Sequence, residues 1–201
     1  MITLVDPEYK ILTDIPENVV YKFIAEAGML SRNNKSAVHR QVCENLMRLG
    51  HESVIEHVSL SVQFKIDRAM SHELVRHRIA SYTQESQRYC NYSDNIEFIK
   101  PFWYDSVCIE TRHIFFEQLE KCHGAYVALL KNSILPQDAR GILPNATATS
   151  LIVTANLREW RHILKLRTSI KAHPDMRLIM RSLLKELKSR YSIIFDDINN
   201  F

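Results

Sequence analysis

The residues best equipped for chemistry lie in one run, Arg76-His77-Arg78-Ile79-Ala80-Ser81-Tyr82-Thr83-Gln84-Glu85-Ser86-Gln87-Arg88-Tyr89. Three arginines, a histidine and two serines share fourteen positions with a single acid, Glu85. A solvated helix face interleaves both signs of charge. This run instead suits an anion with several phosphate or carboxylate oxygens, because a guanidinium donates paired hydrogen bonds and stays charged at any working pH. Arg76 and Arg78 are two apart, so they point to different sides and can serve two ligands. Two further arginines stand in segments of their own. Arg140 lies between Pro136 and Pro144, and Arg167 closes the stretch that begins at Asn156.

Other chemistries can be weighed by spacing. His72-Glu73 and His77 read HExxxH, not HExxH. Five residues turn a helix by about 500°, which leaves the histidines about 140° apart and unable to share one zinc without distortion. No metal is expected. Cys90 is the thiol nearest the run, and a small buried filler is its ordinary role. No histidine is held near Ser86 by sequence spacing to act as its base. Asn156, Arg158 and His162 form a polar stripe on one helix, with Trp160 and Ile163 on its buried face. Asn156 also reads as an N-cap, and Arg167 as a helix C-terminal charge favoured by the macrodipole. His51, in His51-Glu52-Ser53, reads as a capping or buried polar histidine.

These groups need a scaffold, and the composition allows one. The 201 residues suit one domain, residues 1–201, with a sizeable core. They are 46% hydrophobic and 24% charged, and the net charge of +3 is too small to argue for nucleic-acid binding by itself. The four cysteines form no CxxC pair, which suggests reduced thiols and a cytoplasmic protein. No signal peptide is evident at the N-terminus, and no apolar stretch reaches transmembrane length, so no membrane is expected. The four glycines make neither GxGxxG nor GxxxxGK, so any nucleotide cofactor is held without a glycine-rich phosphate loop.

The fold class expected is α/β of the α+β type, a single mixed domain with an antiparallel sheet and several long helices. Leu4-Val5 is a short edge strand ended by Pro7. Asp14 and Pro16 open a helix to about Ala27, with Gly28 stopping it. Ser36 caps a second helix to about Leu49, ended by Gly50. Residues 58–66 alternate apolar and polar and give the clearest strand. Asp67 then caps a helix carrying His72, Glu73, Arg76 and His77, beyond which the chain is irregular. A strand over 96–103 broken by Pro101, a long helix over 105–132, and a turn between Pro136 and Pro144 follow. Thr147 to Thr154 is a strand, Asn156 with Glu159 resembles a capping box opening a helix to about Leu166, and Pro174 starts a last amphipathic helix toward Phe195.

The triplet Arg76-His77-Arg78, the seven residues Ile79 to Glu85, Ser86 and then Arg88-Tyr89 resemble the signature of the flavin-dependent thymidylate synthases. The resemblance runs from about His51 to Arg177 and is weakest in the first 35 residues and over 90–130. It implies conversion of dUMP to dTMP, with methylenetetrahydrofolate as the one-carbon donor and NADPH reducing FAD. It implies that Arg76, His77, Arg78, His51, Ser53, Gln84, Asn156, Arg158 and His162 meet FAD. It sets Glu73, Arg76, Gln84, Glu85, Ser86, Gln87, Arg88, Arg140 and Arg167 at the nucleotide, with Gln84 to Arg88 at its phosphate and sugar. Arg167 and Ser86 are then the catalytic positions. Arg167 stabilises uracil ionised at N3, and neither Ser86 nor Cys90 attacks the pyrimidine. Glu73 stands where a neutral amide can occur, and His162 replaces an asparagine seen in some relatives. A homotetramer with sites at subunit interfaces is implied, without nucleic acid. The rival reading is a nucleic-acid-binding module using Arg76, Arg78, Arg88, Tyr82, Tyr89 and Tyr92.

Overall fold

The computed structural model describes residues 1–30 and 38–199, so the expected cap at Ser36 lies outside the described residues. The fold is mixed, with a four-stranded antiparallel sheet, a two-stranded parallel sheet and several helices. The strands are β1 (Ile2–Val5), β2 (Glu8–Ile11), β3 (Ser59–Asp67), β4 (Ala80–Gln84), β5 (Ile96–Ile99) and β6 (Ala148–Asn156). The larger sheet has the order β2-β3-β6-β4, and β1 pairs with β5 in register Ile2 to Ile96 through Val5 to Ile99.

The helices are α1 (Glu17–Leu30), α2 (His39–Arg48), α3 (Arg68–Leu74), α4 (Ile109–Lys131), α5 (Pro136–Ala139), α6 (Leu157–Arg167), α7 (Pro174–Arg190) and α8 (Ser192–Phe195). A 3-10 turn, Glu52–His57, precedes β3.

The alternation over 58–66 is realised. Leu60, Val62, Phe64 and Ile66 are fully buried, each worth about 2 kcal/mol of transfer free energy. Both central strands end by the same device. Asp67 finishes β3 and its carboxylate accepts from Met70 N at 2.6 Å, which opens α3. Asn156 finishes β6 and its side-chain oxygen accepts from Glu159 N at 2.9 Å, which opens α6. A strand-to-helix switch needs a residue with extended backbone and an oxygen for an orphan N–H, and these two supply it.

Four expectations need correction. Gly28 does not stop α1, which continues to Leu30. A Cβ on Gly28 would sit 2.5 Å from Leu46 Cδ1, so this glycine lets α2 approach. The helix begun by Asp67 ends at Leu74 and does not carry Arg76 or His77. The irregular chain expected beyond it holds for 75–79 but gives way to the strand β4, whose half-buried Ala80, Tyr82 and Gln84 make no apolar stripe to reveal it. The last helix breaks at Tyr191, whose backbone leaves the helical region before α8 begins. Gly50 does close the second helix region, with φ at +73°.

By contacts the chain forms two compact units. One holds Met1–Glu8, Phe64–Arg76 and Tyr82–Ile152; the other holds the described residues of Tyr9–Gln63, His77–Ser81 and Val153–Phe201. In the first, Ile96, Phe98 and Leu119 form a core with Leu4, Phe115 and Leu143 around it. In the second, Trp160, Ile163 and Leu164 of α6 are fully buried, and Trp160 donates its indole N–H to Leu60 O at 3.0 Å.

Candidate functional site

The unit that contains α6 brings together His77, Asn156, Arg158, His162 and Arg167. His77 is 6% exposed, while Arg76 and Arg78 on either side of it are exposed. Arg167 Nε donates to His77 Nε2 at 3.0 Å. That nitrogen is therefore the acceptor of the ring, and the neutral imidazole carries its proton on Nδ1. Glu159 Oε1 lies 3.6 Å from Nδ1, an ion-pair distance rather than a hydrogen bond. His162 meets His77 edge-on, with ring centroids 5.7 Å apart. Burial first, then the charges of Arg167 and His162, hold the His77 pKa down at about 4, so the ring is neutral at physiological pH. Burial pushes the Glu159 carboxyl up, with His162 opposing it.

Beside this group is an open cleft of about 510 Å³. Asn156, Arg158, His162 and Lys165 of α6 line it, with Glu52 and Glu56 from the 3-10 turn. Arg158 pairs with Glu56 and lies 3.8 Å from Glu52. His51 and Ser53 do not line the cleft; their neighbours Glu52 and Glu56 do. Arg161, 3% exposed, is held by Glu52 at 2.9 Å and by both oxygens of Asp197. Its hydrogen bonds hold the Asp197 carboxyl below the usual range. Arg161 thus ties α6 to the segment after α8 and is a structural cation.

The other unit holds the second half of the arginine-rich run. Gln84 Nε2 donates to Ser71 Oγ at 2.9 Å and to Thr149 Oγ1 at 3.3 Å. Arg68 reaches Glu85 O and Thr149 Oγ1, both at 3.2 Å. The Glu85 carboxylate accepts from Tyr92 O–H at 2.6 Å and from Ser150 N at 3.4 Å. Ser86 O accepts from Tyr89 N and Cys90 N, and Ser86 Oγ accepts from Arg88 N, so the segment after β4 is a tight turn. Gln87 is buried there, and the exposed Arg88 lays its guanidinium over the Tyr89 ring at 5.5 Å. Arg140 donates from Nε to Gln137 O at 3.0 Å. Glu73 is half-buried on α3. Burial, with the Glu85 charge second, pushes the Cys90 thiol up, which opposes a thiolate nucleophile.

Glu159, Arg161 and Arg68 are among the residues of these clusters that escaped the sequence reading. Glu159 was legible only as half of a capping box. Its backbone N–H does take the Asn156 cap, but its carboxylate faces His77. His77, Glu159 and His162 offer ligand atoms all within 4.8 Å of one another. The Arg167 guanidinium bonded to the same imidazole opposes a divalent cation there.

The sequence that builds this arrangement matches a known family. The sequence model of the thymidylate synthase complementing protein family matches residues 15–191, and the chain belongs to this family. Among curated relatives, the "flavin-dependent thymidylate synthase" of Geobacter sulfurreducens is 40% identical over 156 residues, covering 77% of this chain and 67% of the relative. That of Mycobacterium tuberculosis strain H37Rv is 35% identical over 181 residues, covering 82% and 72%. That of Corynebacterium efficiens is 32% identical over 179 residues, covering 82% and 72%.

Proposed function

We propose that this protein is a flavin-dependent thymidylate synthase. It converts dUMP to dTMP, with methylenetetrahydrofolate donating the one-carbon unit and NADPH reducing FAD. The balance closes when two electrons from NADPH bring the transferred methylene to methyl and the folate leaves as tetrahydrofolate. The observation that carries this reading is Arg167, held at the end of α6 by a buried, neutral His77 inside the arginine-rich run. Family membership over residues 15–191, which spans both compact units, supports it and supports one functional domain.

The donor set fits a flavin dinucleotide. The cleft along α6 offers an amide, an imidazole and two exposed cations, Arg158 and Lys165, to a ligand with a pyrophosphate and polar ring edges. Asn156, Arg158 and His162 would hold it, with Arg76, Arg78, His77, Gln84, His51 and Ser53 completing its surroundings. When bound, FAD supplies the reducing equivalents. The chain binds, orients and polarises. Arg88, Gln87, Ser86 and Glu85 hold the dUMP phosphate and sugar, with Arg140, Arg76 and Glu73 as further contacts. Arg167 directs fixed positive charge at the uracil ring where N3 becomes anionic, and such preorganised charge lowers a barrier more than mobile solvent does. Cys90, its thiol pushed up by burial, remains outside the chemistry.

The assembly proposed is a homotetramer with sites at subunit interfaces. The exposed Ile109 and Ile114 of α4 are apolar surface suited to it. Among the described residues no helix is long and apolar enough to cross a membrane. The four cysteines are free, in keeping with a cytoplasmic enzyme.

The test is a visible spectrum of the purified protein with FAD, followed by a dUMP titration. A flavin band that shifts with dUMP, and a shift lost in Arg167→Ala, is expected. Absence of flavin binding at any concentration, together with RNA binding that falls steeply with salt, would replace this reading by the nucleic-acid one.

A further inference from the structure

We infer that Glu159 is a positioning residue, which acts through His77 to fix the plane of the Arg167 guanidinium. This rests on the reading of Arg167 as the uracil-facing arginine. Glu159 and Arg167 are eight residues apart on α6, their backbones about 12 Å apart along the helix axis. His77 bridges them. Its Nε2 accepts from Arg167 Nε at 3.0 Å, and its Nδ1 faces Glu159 Oε1 at 3.6 Å. Glu159, His162 and Arg167, which meet the ring, all belong to α6.

The tautomer is the lever. An imidazole protonated on Nε2 would set an N–H against the Arg167 N–H and break the bond. The Glu159 carboxylate favours the proton on Nδ1, where the N–H dipole points at negative charge. Burial of both partners, 6% exposed for His77 and 7% for Glu159, keeps this influence from being screened by water. The guanidinium is planar, so one bond at Nε sets the plane in which the rest of the group lies. The arrangement resembles an orienting acid behind a histidine, except that the histidine here receives a hydrogen bond from an arginine and takes no proton.

The experiment uses the FAD-loaded protein and reads dUMP binding by the flavin spectral shift in native protein, Glu159→Gln, Glu159→Asp, Arg167→Ala and Glu159→Gln/Arg167→Ala. Glu159→Gln is expected to weaken dUMP about tenfold, with FAD affinity within about twofold of native and with Glu159→Asp recovering part of the loss. In the Arg167→Ala background the same substitution is expected to change dUMP binding less than about twofold, because coupled residues are non-additive. Equal loss in both backgrounds, or FAD affinity falling in step with dUMP affinity, overturns the inference. Nitrogen-15 NMR of the histidine ring in the native protein separates this from the function itself. A His77 protonated on Nδ1 at neutral pH, losing that preference in Glu159→Gln, supports the relay even if the native protein shows no dUMP response, which would instead sink the synthase reading. A ring protonated on Nε2 overturns the relay whatever the activity.

Discussion

Replacing His77 by glutamine should remove a defined part of the acid sensitivity of folding. In the unfolded chain an imidazole takes its proton near its ordinary value of 6.5; in the folded protein His77 takes it only at about 4. Between those values the unfolded state binds more protons, so stability falls as pH drops. The contribution is complete above about 6.5, is lost progressively down to about 4, and is constant below that. A gap of this size amounts to about 2 kcal/mol lost by pH 5 and about 3 kcal/mol by pH 4. Discounting for solvent is small, because the side chain is almost fully buried. Glu159 works with the opposite sign. Its raised carboxyl picks up a proton earlier in the folded state than in the unfolded, so acid returns some stability there. Asp197, lowered by Arg161, has the same sign as His77. Both groups remain in the variant; Asp197 cancels in the difference between the proteins, which reports His77 together with its coupling to Glu159. Glutamine keeps an oxygen that can accept from Arg167 without titrating. Urea unfolding of both proteins at half-unit steps from about pH 7.5 to about pH 4 gives the measurement. Native protein should lose about 3 kcal/mol more than His77→Gln over that range. Curves that stay parallel within about 0.5 kcal/mol would show that the ring titrates normally and would refute its burial beside Arg167.

Gly28→Ala should destabilise the protein by about 1 kcal/mol in urea unfolding, since the new methyl meets Leu46 Cδ1 at 2.5 Å and the cost of overpacking exceeds the gain in helix propensity; a stabilised variant would mean that Leu46 has room to move. Arg161→Met should cost about 2 kcal/mol at neutral pH, because it strands Glu52 and Asp197 without their buried cation. That loss should shrink in acid as the carboxylates protonate, and a pH-independent loss would point to packing alone. Arg167→Lys should lower kcat about 100-fold with FAD still bound, since an ammonium cannot keep the Nε bond to His77 and present a planar donor pair; near-native turnover would remove Arg167 from the chemistry.

Much of the frame was legible because two of its strands carry a one-sided code. The apolar residues of β3 fall on every second position, and Asp67 and Asn156 each combine a strand end with a capping side chain. What escaped was governed by neighbours. In β2 the exposed Glu8 and Lys10 alternate with the half-buried Tyr9 and Ile11, but four residues are too short a run to read as a strand, and their place is set by pairing with β3. In β4, Ala80 to Gln84 make no apolar stripe. Gly28 carries the usual mark of a helix end, yet its function is to leave space for Leu46. A local propensity cannot report a distant side chain.

The arginine-rich run shows the limit most sharply. Its charges are what led the sequence reading to an anion site, and Arg76 and Arg78 are exposed. The histidine between them was legible only as one more ligand of that site. Burial gives it a different property: an imidazole that stays neutral, with one nitrogen committed to Arg167 and the other turned to Glu159. The orientation of the arginine therefore depends on the protonation pattern of a ring about ninety positions away in sequence. A cation meant to act on a developing anion must resist collapsing onto the nearest carboxylate. Here a neutral imidazole, not a carboxylate, accepts from Arg167 Nε, so this bond fixes the guanidinium at that atom without setting a negative charge against it.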